Sequence, residues 1–322
     1  MAEVQYILSP RWTVSASGKQ LKLQSESKQL KLELTESAEP IRELLTKKSL
    51  NLNEFDKNLI ELLVSHSVIV RKLTHSCPAT ERQFIYWSAF STLDCRQEKL
   101  HNLSDMHVTI IGLGGIGTVV ARLLAGGGIK RFTFIDGDSV EESNLNRQIL
   151  FNNKDIGASK VDSARRNLIS TFPELNIETN VTDYLGQKPN SIFNTETDFV
   201  LVAFDGPTLT TPLMLLDELW ESKIDCAFAF TGFDKTYASP IYSRQFSSWS
   251  PKESFDVRND ISGRSPIQAS SSTNNAYVSA LLAEQMLFHL TGLYEEVEYD
   301  KVLVSTRRQG YPSFALTEQI YL

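Results

Sequence analysis

The chain has 322 residues, of which 41% are hydrophobic and 22% are charged, and its formal net charge is −7. This acidic balance argues against nucleic acid as a partner, because phosphate backbones are bound by basic surfaces. No apolar run approaches the roughly 18 residues of a membrane span, and the first residues lack the basic and apolar segments of a secretory signal. The three cysteines are widely spaced and suit a reducing compartment. We therefore expect a cytoplasmic protein that binds neither nucleic acid nor membrane.

Residues 1–80 are predicted to form a small domain of their own. Residues 4–35 alternate apolar and polar side chains, which predicts an antiparallel sheet of two or three strands. The segments 38–48 and 51–69 carry apolar residues at helical spacing, and Asn51 or Asn53 is a plausible N-cap for the second helix. Strands followed by helices in so short a region indicate a winged-helix-like module.

Residues 81–322 have a different pattern, in which short apolar strands alternate with helices. Such alternation predicts a parallel sheet covered by helices on both faces. The expected fold class is thus α/β, with a doubly wound, mostly parallel, Rossmann-like sheet. The predicted strands are 107–112, 131–136, 177–182, 198–204 and 224–230, and the predicted helices are 115–125, 159–171, 208–221 and 273–291.

A glycine-rich turn lies between the first strand and the first helix of this second region. Gly112, Gly114, Gly115 and Gly117 form a G-x-G-G-x-G spacing, which lets the backbone approach phosphates and directs helix N-terminal amides at negative charge. Asp136 ends the next strand, where an acidic residue contacts the ribose hydroxyls in such folds. These residues predict a nucleotide site, although they do not separate NAD from ATP.

The residues that follow favour ATP with magnesium. Arg147 and Lys160 come soon after the second strand, and a hydride-transfer site has no need of two cations there. Attack on the α-phosphate of ATP does need them, because charge develops on that phosphate and on the leaving pyrophosphate. Asp205 ends a later strand, at the sheet edge where ligands bind and where a carboxylate would hold Mg²⁺. Read singly, each of these residues also suits an ordinary surface or turn position.

Together, the glycine turn, the segment IDGDSVEESNLNRQ (135–148), Lys160 and the strand ending at Asp205 resemble the ThiF/MoeB and ubiquitin-activating-enzyme adenylation family over about residues 80–322. The resemblance implies that Asp136 binds ribose and that Asp205 is the magnesium-linked carboxylate. It also implies that Arg82 reaches into the site of a partner subunit, which requires a homodimer with composite sites. The residues implied to bind or act on ATP around the phosphates are Asn144, Arg147, Gln148 and Lys160.

The cysteines depart from the family pattern. The paired C-x-x-C zinc motif of the family is missing, so no zinc is expected. Cys226 lies within an apolar strand and is interpreted as a small buried residue rather than a nucleophile. A thioester relay to a carrier protein is therefore not expected.

Within this family, the layout resembles the enzymes that activate ribosomally made precursor peptides in the biosynthesis of microcin-like and pantocin-like antibiotics. The shared features are an N-terminal peptide-clamp module, a D-x-P loop at Asp205 and an Asn-Asn pair, Asn274 and Asn275, that opens the last long helix. The resemblance implies that the clamp adds a leader peptide as an edge strand and that the enzyme adenylates a peptide carboxyl group. A Glu side chain that then closes a ring is favoured, and activation of a C-terminal residue stays open.

Three other readings compete with this interpretation. The first is activation of the C-terminus of a ubiquitin-like or sulfur-carrier protein. The second is an NAD-dependent oxidoreductase, which NAD(H) rather than ATP would stabilise against melting. The third is a non-catalytic module that binds a peptide without nucleotide turnover.

Overall fold

The computed structural model describes residues 5–72, 80–90, 103–182, 196–206, 210–232, 235–254, 270–306 and 313–315. The chain divides into two compact units, residues 1–100 and residues 101–322. The predicted division of the sequence into domains at residue 80 stays a prediction. Among the helices of these described segments, none is long and apolar enough to cross a membrane.

The first unit contains a three-stranded antiparallel sheet and a separate two-stranded pair. Strands β2 (Thr13–Ser17), β3 (Gln20–Gln24) and β4 (Gln29–Glu33) form the sheet in that order, while β1 (Tyr6–Leu8) pairs with β5 (Ile69–Arg71). The helices are α1 (Glu39–Leu45), α2 (Lys57–Ser65) and α3 (Glu81–Ser88). Alternation along β3 buries Leu21 and Leu23 in the core of this unit. The predicted small antiparallel sheet followed by helices is confirmed.

The predicted cap of the second helix is wrong. Asn51 caps a single 3-10 turn, and the carboxylate of Asp56 accepts hydrogen bonds from two backbone amides at the start of α2. The reason is Phe55, whose backbone is extended between the turn and the helix and whose ring is buried in the core of the unit. The helix therefore begins only at Lys57, later than the sequence pattern indicates.

The second unit is an eight-stranded sheet with the order β13-β12-β11-β10-β9-β6-β7-β8 within the described segments. Strands β10, β9, β6, β7 and β8 are parallel, and β11, β12 and β13 continue the sheet in antiparallel fashion. The elements of this unit are β6 (His107–Ile111), α4 (Gly115–Gly127), β7 (Arg131–Ile135), α5 (Lys160–Thr171), β8 (Asn176–Asn180), β9 (Phe199–Val202), α6 (Thr210–Glu221), β10 (Asp225–Thr231), β11 (Lys235–Ala238), α7 (Pro251–Ser254), α8 (Ser272–Thr291), β12 (Lys301–Thr306) and β13 (Ser313–Ala315). The predicted α/β fold with a mostly parallel sheet is confirmed.

The strand register places the functional segments at one edge of the sheet. Ile111 pairs with Ile135 on one side and with Val202 on the other, and Val202 in turn pairs with Phe228. All five residues of β6 are buried, as expected for a central strand covered on both faces. Because these strands are parallel, the residues that follow each of them emerge side by side.

Candidate active site

A cleft of about 450 Å³ lies at the carboxyl ends of β6, β7, β9 and β10. Ligands of doubly wound folds bind at this edge of the sheet, and the volume falls within the roughly 300–1,000 Å³ that is usual for ligand sites. The lining includes residues that the sequence singled out and several that it did not. The lining residues include Gly112, Gly114, Gly115, Asp136, Asp138, Glu141, Asn144, Arg147, Gln148, Lys160, Asp205, Ser270 and Asn275.

Three glycines of the turn differ in what an added side chain would contact. Gly112 has a φ of +94°, and a Cβ there would lie 2.6 Å from the carbonyl oxygen of Ala203. A Cβ on Gly117 would lie 2.0 Å from the carbonyl oxygen of Gly112, so this pair keeps strand and helix in close contact. A Cβ on Gly114 would meet nothing within 4 Å, because this residue borders open space in the cleft.

Helix α4 begins at this turn without a side-chain cap. Gly114 is the N-cap residue, and the structure shows no side-chain cap hydrogen bond at this helix start among the described residues. The first amides of a helix lack intrahelical partners and carry a partial positive charge. The turn therefore offers donors to an anion, which is the arrangement that the glycine spacing predicts.

Asp136 connects the glycine turn to the segment after β7. Its carboxylate accepts hydrogen bonds from the backbone amide of Leu113 at 2.6 Å and from that of Asp138 at 2.9 Å. Burial raises the pKa of Asp136, against the opposing effects of Lys160 and of these two amide donors. Asp136 therefore holds the turn in place, and its predicted contact with ribose stays a prediction.

Arg147, Lys160 and Asp205 line the same cleft. Burial among the surrounding protein raises the pKa of Asp205, and the positive charges of Arg147 and Lys160 oppose that increase. The residue is nevertheless exposed to solvent on the side of the open cleft. Arg147 is oriented by hydrogen bonds from its Nη1 to the carbonyl of Ser143 at 2.8 Å and to Oδ1 of Asn146 at 2.9 Å. The structure thus brings the three residues into one cleft, while their catalytic roles stay predictions.

Asn144 and Gln148 both line the cleft, and they differ in whether the side-chain oxygen has a hydrogen-bond partner among the described residues. The side-chain oxygen of Asn144 accepts a hydrogen bond from the amide of Glu141 at 3.0 Å, so Asn144 fixes the turn that carries Arg147. Gln148 is only 3% exposed, and its Oε1 has no hydrogen-bond partner among the described residues. A buried acceptor without a partner is costly, so Gln148 suits contact with a ligand donor.

Asn275 and Asp138 are among the cleft residues that were not in the predicted site. Asn275, the fourth residue of α8, donates from Nδ2 to the Ser270 hydroxyl at 2.9 Å and to the Ser271 carbonyl at 2.7 Å. Its Oδ1 would lie 2.3 Å from a Cβ on Gly115, so the last long helix packs directly on the glycine turn. The carboxylate of Asp138 accepts a hydrogen bond from Nζ of Lys160 at 2.6 Å. Both residues belong to patterns visible in the sequence, the Asn-Asn pair and the Asp-x-Asp segment.

Arg82 and Cys226 are the remaining residues for which the sequence predicted a role or its absence. Arg82 lies in α3 of the first unit with an exposed side chain, and its action in a partner subunit stays a prediction. Cys226 is fully buried in β10, and burial raises the pKa of its thiol well above the ordinary value. The interpretation of Cys226 as a buried residue is confirmed. Cys77, Cys95 and Pro207 lie outside the described residues.

The doubly wound sheet and its glycine-lined cleft define a nucleotide-binding protein. More specifically, residues 82–307 match the ThiF family, and the chain belongs to that family. The resemblance inferred from the motifs is confirmed.

Curated relatives match parts of the chain. The adenylyltransferase and sulfurtransferase uba4 of Aspergillus clavatus is 39% identical over 109 residues, which are 33% of this chain and 21% of that protein. The sulfur carrier protein ThiS adenylyltransferase of Escherichia coli is 38% identical over 98 residues, 30% of this chain and 39% of that protein. The match therefore spans about a fifth of the length of the uba4 relatives.

Solved structures share the fold along much more of the chain. MccB of E. coli, crystallised with ATP, has a TM-score of 0.76 at 19% identity and covers 98% of each chain. MccB has also been crystallised with MccA, with a TM-score of 0.76 at 19% identity over 97% of this chain and 96% of that one. PaaA has a TM-score of 0.64 at 21% identity, over 80% of this chain and 91% of its own. These similarities extend the fold assignment across both units.

Proposed function

We propose that this protein uses Mg-ATP to adenylate a carboxyl group of a ribosomally made precursor peptide, in the biosynthesis of a microcin-like or pantocin-like antibiotic. The observation that carries the proposal is that Arg147, Lys160 and Asp205 line one cleft together with Gly114 and Gly115 at the start of α4. The adenylyltransferase names of the curated relatives support the reaction class. The fold shared with MccB and PaaA supports a peptide as the substrate.

The chemistry follows from what the cleft offers. A carboxylate oxygen attacks the α-phosphorus of ATP, the new O–P bond forms, and the bond to pyrophosphate breaks with its electron pair leaving on pyrophosphate. The amides of the glycine turn and the two cations stabilise the charge that develops on these oxygens. The acyl adenylate then has a good leaving group, which the free carboxylate lacks. A neighbouring group of the peptide displaces AMP to complete the modification.

The charge of the cleft supports a requirement for magnesium. Four carboxyl groups line it, those of Asp136, Asp138, Glu141 and Asp205, against the two cations Arg147 and Lys160. A triphosphate adds further negative charge, so binding needs cations beyond those of the described lining. Asp205 would hold Mg²⁺, which would supply positive charge to offset that of the triphosphate, and Arg82 of a partner subunit would supply another positive charge. The free space at Gly114 also fits a nucleotide, as does the Oε1 of Gln148, which has no hydrogen-bond partner in the described part of the chain.

The first unit is the proposed leader-binding module. Strands β2 and β4 are the outer strands of its three-stranded sheet, and an outer strand offers unpaired backbone groups to an extended peptide. We propose that the enzyme works as a homodimer in which Arg82 acts in trans. The favoured target is a Glu side chain whose activation leads to cyclisation, and a C-terminal carboxyl group is the alternative target.

A second candidate is activation of the C-terminus of a ubiquitin-like or sulfur-carrier protein. The observation in its favour is the 38% identity to the sulfur carrier protein ThiS adenylyltransferase. The two candidates share the adenylation step and differ in the partner. Recovery of a folded, diglycine-tailed protein in a pull-down, with no affinity for short leader peptides, would favour this second candidate.

The test is mass spectrometry of a short peptide encoded beside the gene, incubated with the full chain and Mg-ATP. Loss of water or gain of AMP by the peptide, with AMP or pyrophosphate appearing in the same sample, is the expected result. Asp205→Asn is the matched control and should leave peptide and ATP unchanged. An unchanged peptide with the wild-type protein, despite measurable leader binding, would contradict the proposal and favour a binding-only role. Stabilisation against melting by NAD(H) but not by ATP would favour an oxidoreductase.

A further inference from the structure

The side chain of Lys160 is held by Asp138 in this structure. Its Nζ lies 2.6 Å from Oδ2 of Asp138 and 4.0 Å from Oδ1 of Asp136. The Lys160 side chain is only 8% exposed, whereas that of Asp138 is 68% exposed. Little water reaches the ammonium group, so its charge depends on a nearby anion. Asp138 supplies the closer of the two.

The position of Asp138 is fixed by its own backbone. Its amide donates to Oδ1 of Asp136 at 2.9 Å, and its carbonyl oxygen accepts from the amide of Lys160 at 3.0 Å. The next residue, Ser139, bridges to Ser159 just before α5. These main-chain contacts hold the carboxylate of Asp138 beside the ammonium of Lys160. They do not depend on the charge of the Asp138 side chain.

In the proposed function, on which this inference rests, the same ammonium has to contact the phosphates of ATP. A carboxylate oxygen and a phosphate oxygen are equivalent acceptors for a compact ammonium group. We propose that Asp138 is a built-in competitor for phosphate, and that Lys160 transfers its ammonium from Asp138 to the phosphates when a nucleotide binds. Asp138 thereby lowers the affinity of the cleft for phosphate groups. When pyrophosphate forms, the return of Lys160 to Asp138 promotes its release.

The test is isothermal titration calorimetry on the full chain with Mg-ATP, magnesium pyrophosphate and adenosine as separate probes. Asp138→Asn keeps the size and both backbone contacts of the residue but removes the charge. It should bind Mg-ATP and pyrophosphate about tenfold more tightly, which is the equivalent of one hydrogen bond to a charged group. Adenosine should bind with unchanged affinity, because it has no phosphate for Lys160 to reach.

A second comparison separates competition from simple repulsion between like charges. Glu141→Gln removes one negative charge from the same cleft, and no ion pair joins Glu141 to Lys160 in the described structure. Repulsion alone predicts the same gain in affinity for both variants, whereas competition predicts a larger gain for Asp138→Asn. In a Lys160→Met background the excess gain should disappear, because the ammonium group for which Asp138 and phosphate compete is absent.

Three results would overturn the inference: no gain for Asp138→Asn, the same gain for Glu141→Gln, or an undiminished gain in the Lys160→Met background. Each of these is measured without the peptide substrate, so a lack of peptide turnover does not affect them. If the wild-type chain binds none of the phosphate probes, the proposed use of ATP fails as well. Circular dichroism of every variant establishes that the fold is retained.

Discussion

Gly112→Ala should destabilise the second unit by an amount that can be worked out from the structure. Alanine at a φ of +94° is strained, and its Cβ would lie 2.6 Å from the carbonyl oxygen of Ala203, at the end of β9. Backbone strain of this kind costs about 1–3 kcal/mol, and forcing an extra methyl group into a packed site costs about 1–3 kcal/mol more. At roughly 2–4 °C per kcal/mol for a domain of this size, the melting temperature should fall by about 10 °C.

Gly114→Ala is the matched control in the same turn. Its Cβ would meet no atom within 4 Å, so the melting temperature should stay close to that of the wild type. The added methyl group would occupy the open space where phosphate is proposed to bind, so Mg-ATP affinity should fall. Differential scanning fluorimetry and calorimetric titration measure the two effects separately. A wild-type melting temperature for Gly112→Ala, or an equal loss for Gly114→Ala, would refute the reasoning.

Three further predictions concern other parts of the chain. Asp205→Asn should abolish turnover and leave leader-peptide affinity unchanged in fluorescence polarisation; an equal loss of peptide affinity would contradict a separate leader-binding module. Arg82→Ala and Asp205→Asn proteins, each inactive, should regain partial activity when mixed, because one composite site is intact; no recovery after verified subunit exchange would exclude the trans arginine. Cys226 should resist iodoacetamide at neutral pH in the native chain, since burial raises its thiol pKa and keeps the thiol protonated; rapid labelling mapped to Cys226 would contradict its burial.

The cleft residues that belong to local sequence motifs could be predicted from the sequence. The glycine turn, Asp136 and Asp205 each follow a strand, and parallel strands bring their carboxyl ends to one edge. Arg147 and Lys160 lie within a short distance along the chain from Asp136, so their proximity to it follows from local connection lengths. The register around Ile111 confirms this arrangement.

The remaining features depend on packing between distant segments. Asn275 reaches Gly115 only because α8 packs against α4, and no local pattern specifies which helix covers the turn. The ion pair between Asp138 and Lys160 depends on the conformation of a flexible lysine side chain. The antiparallel strands β11 to β13 were not predicted. Strands β11 and β13 have only four and three residues, and β12 joins the sheet by pairing with these two short strands. The cap at Asp56 was missed because Phe55 interrupts the helical pattern with a core contact.

The packing of α8 against α4 has a consequence for synthesis of the protein. Most of α4 is buried, including Val120, Ala121 and Leu124, and Ser279 of α8 donates a hydrogen bond to the carbonyl of Ile116. On the ribosome, α4 emerges well before α8, and domains fold as their segments become available. Until residues 272–291 have emerged, the nascent chain exposes the surface of α4 that α8 will cover and lacks Asn275 beside the turn. The proposed nucleotide site is therefore completed late in translation, and chains that end before residue 272 leave this surface of α4 uncovered.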